Sequence, residues 1–300
     1  MESLYFTDNS PSFISVNIND FKCVKLDVSI DGVAELVLIS KNKLNMMTDQ
    51  FFNDMMMHIV NKKFVAIFDK IQSDKAIKSV IIWSDGKVFT AGLDLMAAST
   101  MMTSDDSLSQ ADQNLALFKM IRRWQAAFDK IQKCSKPVIA AIHSHCIGGG
   151  VDMVSACDIR LCSEDATFAI KETKLAIVAD LGTLQRIEKI VGPGFAREMA
   201  FTGKSINAAT AEKHGLVNRV YKDKAALLSE ARHLASQIAA NSPLVVQSTK
   251  LILNHSQTHT VEEGLLRVAL HNSSLLKSAD VLEAVGAFTE KREPIFKSNL

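Results

Sequence analysis

The chain has 300 residues, 47% of them hydrophobic, enough to bury one large core or two modest ones, which excludes a disulfide-stapled miniprotein. Lys and Arg number 34 against 33 Asp and Glu, a formal net charge of +1, so no bulk attraction to nucleic acid or anionic membrane is encoded and any anionic ligand must be held locally. The five cysteines (Cys23, Cys134, Cys146, Cys157, Cys162) are odd in number and sit mostly in apolar stretches, which suits buried thiols in a reducing compartment.

Residues 1–20 carry Glu2, Asp8 and Asp20 but no Lys or Arg, and read as a polar arm rather than a signal peptide or mitochondrial presequence; the expected location is cytoplasmic. Lys25 to Ile39 partly alternates apolar and polar residues around Asp31-Gly32, the pattern of a hairpin. Thr48 has the look of an N-cap, and Phe51 to Lys70 carries a Met-rich apolar face that predicts one amphipathic helix. Val80-Ile81-Ile82-Trp83 is a short buried strand ended by Asp85-Gly86. The polar stretch Thr103 to Gln110 predicts a loop able to gate a pocket, followed by a helix over Leu115 to Ile131. Strands are predicted at Val138 to Ile142, Ile159 to Cys162 and Thr167 to Ile170.

Strands alternating with helices imply an α/β core with parallel pairing. After Tyr221 the texture turns helical, over Ala225 to Ala240, Pro243 to Asn254 and Val261 to Lys291. The division expected is an arm at 1–20, a catalytic core at 21–222 and a helical region at 223–300. No run approaches the roughly 18 apolar residues of a membrane span, so a soluble chain is expected. The closing Ser298-Asn299-Leu300 is one substitution from the peroxisomal Ser-Lys-Leu, which makes the peroxisome the alternative address.

Two glycine-bearing segments place small residues where a strand stops: Phe89-Thr90-Ala91-Gly92-Leu93-Asp94-Leu95 and Ile147-Gly148-Gly149-Gly150-Val151-Asp152. Backbone N–H groups there can point into a cleft with no side chain in the way, and two converging amides make an anion site. The competing explanation is tight helix–strand packing. Neither Gly148-Gly149-Gly150 nor Gly192-Pro193-Gly194-Phe195-Ala196-Arg197 completes G-x-G-x-x-G, and the P-loop pattern is absent, so a dinucleotide or ATP site is disfavoured. Three carboxylates follow: Asp152 after the glycine turn, Glu172 after the strand Thr167 to Ile170, and Asp180 between Ile177, Val178, Ala179 and Leu181. Apolar surroundings raise the pKa of an unpaired carboxyl, which is what acid–base work needs; a helix cap or salt bridge is the ordinary alternative for each. His143 and His145, read as alternate positions of one strand, share a face without a third ligand, so no metal site is expected.

From Val80 through Tyr221 the chain resembles the crotonase (enoyl-CoA hydratase/isomerase) superfamily. The resemblance rests on the two glycine segments, Lys136-Pro137-Val138-Ile139-Ala140-Ala141-Ile142, Ala156-Cys157-Asp158-Ile159-Arg160 and Phe168-Ala169-Ile170-Lys171-Glu172. It implies a ββα spiral core with a C-terminal helical trimerisation region, acyl-CoA thioester substrates, and homotrimers or dimers of trimers. It places the oxyanion hole at the N–H groups of Leu93 and Gly149, with Ala91, Gly92, Asp94 and Gly148 lining the substrate. Phe288 and Lys291 then belong to a tail that approaches a CoA, either its own or that of a neighbouring subunit. No metal, and no cofactor beyond the CoA of the substrate, is implied.

Within the superfamily, Ala179-Asp180-Leu181-Gly182-Thr183-Leu184-Gln185-Arg186, together with Asp rather than Glu at position 152, is similar to the Δ3,5-Δ2,4-dienoyl-CoA isomerases. That likeness implies a β-oxidation isomerase in which Glu172 takes a proton, Asp180 delivers one and Asp152 tunes the pair. The nearest rival is a 2-enoyl-CoA hydratase. A non-catalytic scaffold or RNA-binding relative is the alternative of a different class, opposed by the three carboxylates and the lack of a basic footprint.

Overall fold

The computed structural model describes residues 13–15, 21–39, 44–56, 58–60, 63–65, 67–96 and 107–296. Its strands are β1 (Phe13–Ser15), β2 (Val24–Ser29), β3 (Val33–Leu38), β4 (His58–Val60), β5 (Lys63–Val65), β6 (Ser79–Ser84), β7 (Val138–Ile142), β8 (His145–Ile147), β9 (Ile159–Ser163), β10 (Thr167–Ala169), β11 (Ile206–Asn207) and β12 (Arg219–Tyr221). Side-chain alternation explains why the central ones pair as they do. Ala34, Leu36 and Leu38 of β3, Val80 and Ile82 of β6, and Val138, Ala140 and Ile142 of β7 enter one core. Val33, Ile81, Ile139 and Ala141 enter a second core on the opposite face. Strands buried on both faces need cover on both sides, the condition under which parallel sheets form. The large sheet runs β1-β2-β3-β6-β7-β9-β12, antiparallel through β3 and parallel from there on.

A smaller sheet, β11-β10-β8, pairs β10 with β8 in parallel, and Thr90 bridges Cys146 of β8 in the same sense. The chain therefore winds as a spiral. Each turn lays a strand in the large sheet, crosses to the small one and returns through helix: β6, Thr90 and helix Gln110–Lys133; β7, β8 and helix Gly149–Ser155; β9, β10 and helices Thr183–Val191 and Pro193–Thr202. The α/β spiral expected from the sequence is the architecture observed.

Several boundaries differ from expectation. The helix predicted over Phe51 to Lys70 is cut into Asp49–Met56 and Ile67–Ser73 by the β4–β5 hairpin, in which Ile59 faces Phe64. Ile59, Val60, Phe64 and Val65 are β-branched or aromatic and favour strand over helix, overriding the apolar periodicity. Thr48 does cap the first piece, accepting from the Phe51 N–H at 3.4 Å. The run Val261 to Lys291 is two helices, Val261–Leu275 and Ala279–Glu290, divided at Ser278, the N-cap of the second. Helix Lys224–Ala239, at the start of the expected helical region, packs on the large sheet: Leu227, Ala231, Ala235 and Ala239, four residues apart, fill the second core. Its Arg232 makes a bidentate pair with Glu35 of β3 at 2.7 and 3.0 Å, and the Trp83 indole donates to the same carboxylate at 2.7 Å. Inside the expected arm, β1 pairs with β2; the rest of that arm, residues 103–106 of the expected gating loop, and Ser298-Asn299-Leu300 lie outside the described residues.

Candidate active site

The glycine turns meet because the segments before them, Phe89-Thr90 and 143–147, are bonded together. Phe89 N–H donates to His143 O at 3.1 Å, Thr90 N–H to His145 O at 2.8 Å, and Ile147 N–H to Thr90 O at 3.2 Å. Gly92 then turns with φ +88°, where a Cβ would stand 2.6 Å from Ile147 O and 3.5 Å from Gly149 N. Only glycine permits both the conformation and the approach. Gly148, at φ +53°, donates to Ala169 O at 2.8 Å, and a Cβ on it would meet Glu172 Oε1 at 3.2 Å. Three chain segments thus converge within van der Waals distance.

Two backbone amides, those of Leu93 and Gly149, lie close together at these turns. Met47 donates to Gly92 O at 2.8 Å and accepts from Asp94 N–H at 3.0 Å, so this parallel bridge passes over the Leu93 N–H. Gly149 is the first residue of helix Gly149–Ser155, where an N–H has no intrahelical acceptor. Leu93 N lies 4.0 Å from the position of a Cβ on Gly149. Ala91 N–H is used by Leu44 O at 3.0 Å, and the Asp94 carboxylate accepts from Met96 N–H at 3.1 Å, which stiffens the turn on both sides of Leu93.

Of the three carboxyls, Glu172 stands against the Gly148 turn, and the charges of the three interact. Asp152, 1% exposed, accepts from the Thr183 N–H at 2.6 Å and so caps helix Thr183–Val191. Burial pushes its pKa up to about 7 against the Thr183 hydrogen bond, and the charges of Glu172 and Asp180 push the same way. Glu172 opens the 3-10 turn Glu172–Leu175; burial raises its pKa first and the Asp180 charge adds to that. Its Oε2 is buried without a hydrogen-bond partner, while Oε1 stands against Gly148. Asp180 is half-buried and its pKa is raised by burial. Ala179 and Leu181 are buried as expected, but Val178 is 72% exposed, so the apolar surroundings of Asp180 are one-sided.

Not every residue singled out joins this cluster. Phe288 is 87% exposed, and Lys291 ends the last helix as its C-cap; this chain does not bring them to the Leu93–Gly149 pair. His143 and His145 do not share a strand, because Ser144 at φ +55° separates β7 from β8. Buried His143 bonds Gly86 O at 2.9 Å, and His145 bonds the Thr167 hydroxyl at 2.7 Å. Among the described residues no three His, Cys, Asp or Glu side chains group as metal ligands, and no helix is long and apolar enough to cross a membrane.

The sequence reading missed the supports. Buried Asn45, at φ +48°, donates from its side chain to Phe89 O at 2.6 Å and accepts the Thr90 hydroxyl on its backbone carbonyl at 2.7 Å, locking the segment before the Gly92 turn; Asn is a residue that tolerates this conformation, a weak signal that was available. Met47 clamps the Leu93 turn through backbone atoms alone, which leaves no trace in residue type.

The enoyl-CoA hydratase/isomerase family model matches residues 30–299. A protein of Dictyostelium discoideum named Delta(3,5)-Delta(2,4)-dienoyl-CoA isomerase, mitochondrial, is 57% identical over 299 residues, 99% of each chain. One of Arabidopsis thaliana named Delta(3,5)-Delta(2,4)-dienoyl-CoA isomerase, peroxisomal, is 41% identical over 266 residues, 88% of this chain and 92% of that one. Among solved structures, the enoyl-CoA hydratase of Bacillus anthracis superposes with a TM-score of 0.81 at 26% identity, covering 92% of this chain and 99% of that chain. The cytoplasmic expectation is corrected by these names, which are mitochondrial and peroxisomal. A relative aligned over 99% of both chains is named mitochondrial, so the lack of basic residues in positions 1–20 does not mark a cytoplasmic chain.

Proposed function

This chain belongs to the enoyl-CoA hydratase/isomerase family, and from that premise we propose that it converts 3,5-dienoyl-CoA to 2,4-dienoyl-CoA thioesters in fatty-acid oxidation. The observation that carries the reading is the Glu172 carboxyl: buried, raised in pKa and unpartnered at Oε2, it stands against the glycine turn whose next N–H, with that of Leu93, is free to hold an oxyanion. A hydrated carboxylate would be a weaker base, and one held in a salt bridge would be weaker still, because the neighbouring cation lowers its pKa.

The chemistry follows from that geometry. The Leu93 and Gly149 N–H groups bind the thioester oxygen, and negative charge developing there acidifies C2; one such donor is worth about 2.7–4 kcal/mol in a transition state. Glu172 takes the C2 proton. The electron pair of the broken C–H bond forms the C2=C3 double bond, the C3=C4 pair shifts to C4=C5, and the C5=C6 pair takes a proton at C6 from Asp180. Atoms and electrons balance without a redox step, so no cofactor is called for. Asp152 stays at the helix cap, where its charge state biases the other two carboxyls; the three titrate as a coupled set.

The apolar side chains left on the outer faces of the C-terminal helices fit self-association, as the trimers or paired trimers implied by the family, with Phe288 and Lys291 then facing a neighbour's CoA. The test of the activity is spectroscopic. Purified protein given 3,5-dienoyl-CoA develops the ultraviolet band of a 2,4-dienoyl thioester and leaves the band of crotonyl-CoA intact; loss of the crotonyl band without formation of the dienoyl band means a hydratase instead.

A further inference from the structure

Asp180 sits in residues 177–182, which form neither helix nor strand, so the position of its carboxyl depends on what grips that segment from outside. The grip comes from one face of helix Gln110–Lys133. Gln125, Asp129 and Gln132, spaced four and three apart, lie on a single stripe. Gln125 Nε2 donates to the Asp180 carbonyl at 2.6 Å, Asp129 accepts from Arg186 Nη2 at 2.7 Å, and Gln132 accepts from Arg186 Nε at 2.9 Å. Between those points Asp152 holds the Thr183 N–H. The orientation of the Gln125 amide is fixed by Arg122, whose Nη1 donates to Oε1 at 2.6 Å and leaves the NH2 end for Asp180. The same helix is tied to the oxyanion side, since Arg123 pairs with Asp49, two residues after the Met47 that clamps Leu93.

We propose that Gln125 is a positioning residue of the isomerisation: its hydrogen bond to the Asp180 carbonyl holds the acid at the far end of the dienoyl chain, in register with Glu172 and the two amides. The inference rests on the isomerase reading above, and it separates the two proton transfers. Glu172 does not depend on Gln125, because the residues on either side of it are anchored to another part of the chain, Lys171 Nζ donating to Gly203 O at 2.9 Å and the Thr173 hydroxyl to Ala200 O at 2.5 Å.

The test is Gln125→Met, which keeps length and removes the donor, beside Gln125→Glu, which keeps a partner for Arg122 and also removes it. Three quantities are read on the full-length protein: conversion of 3,5-dienoyl-CoA, exchange of the C2 proton with deuterated solvent, and the thermal midpoint. Both variants are expected to lose kcat by roughly 10- to 100-fold, as small displacements of a reacting group do, with KM within about twofold of wild type, C2 exchange retained and the midpoint held. A kcat within about twofold of wild type overturns the proposal. So does parallel loss of conversion, exchange and thermal midpoint, which is the mark of a merely structural residue. Wild-type protein that neither converts the dienoyl thioester nor exchanges C2 sinks the isomerase reading and this inference with it, whereas active wild type with undisturbed variants sinks the inference alone.

Discussion

Asp152, Glu172 and Asp180 lie close enough for their charges to interact, yet their neighbours differ. Asp180 and Glu172 are each part-exposed, whereas Asp152 is 1% exposed and bonded to the Thr183 N–H. Asp180→Asn, which keeps shape but removes the acid, is therefore expected to cut isomerisation by about 10²-fold or more while acyl-CoA binding survives, checked by turnover against a binding titration. Glu172→Gln should abolish exchange of the C2 proton; persistent exchange would name another base. Asp152 makes a different prediction, about stability. Its pKa is raised from 3.8 to about 7 in the folded chain, so the folded state binds more protons than the unfolded one between those values. The contribution is complete below pH 3.8 and lost as pH rises through 7. Asp152→Asn keeps the acceptor for Thr183 and removes the charge, so relative to it the wild type should lose stability from about pH 4 to 7, by at most about 4 kcal/mol, and no further above that. Chemical denaturation at several pH values measures the difference, and parallel curves for the two proteins would refute it.

At the scale of elements, the site depends on turns whose geometry only certain residues allow. Gly92→Ala places a methyl at φ +88°, 2.6 Å from a backbone oxygen, so either the turn or β8 must shift. A cost of at least about 1–2 kcal/mol in unfolding free energy is expected from the conformation alone, with more than tenfold loss of kcat as the Leu93 N–H moves. Gly194→Ala is the contrast: that residue is exposed in helix Pro193–Thr202 with open space around its Cα, so it should leave kcat unchanged and the thermal midpoint level or slightly raised. The same turns explain why the site was readable in the sequence. Gly92 and Gly148 advertise a constraint by residue type, and short buried strands such as Val138–Ile142 advertise themselves by composition. What was not readable is non-local. The β4–β5 hairpin inside a helical periodicity, the packing of helix Lys224–Ala239 on the sheet, and the reach of Gln125 across 55 positions to Asp180 are settled by partners distant in the chain. The single-strand reading of His143 and His145 failed for a similar reason, because the left-handed Ser144 between them marks a crossing from one sheet to the other.

For the whole molecule, the C-terminal helices pose the remaining question. Leu282, Val285 and Phe288 repeat every third residue along helix Ala279–Glu290 and stand 72%, 61% and 87% exposed, while Leu265 and Leu266 of helix Val261–Leu275 are each 63% exposed. Large apolar side chains exposed in this number are costly in water and are ordinarily covered in the native assembly. If copies of the chain cover them, carboxylates placed there would have to be buried unpaired, which the assembly cannot tolerate, whereas an isolated chain would carry such carboxylates on its surface at little cost. The double variant Leu266→Glu, Leu282→Glu should therefore sediment at the chain mass of 32.9 kDa, with the wild type at three or six times that. Because Phe288 and Lys291 are not brought to the oxyanion amides of their own chain, dissociation should also raise KM for the acyl-CoA by about tenfold while leaving the solvent-exchange chemistry of Glu172 measurable at saturating substrate. Wild-type protein that sediments as a single chain would refute the assembly, and a dissociated variant with unchanged KM would show that each chain binds CoA without its neighbour.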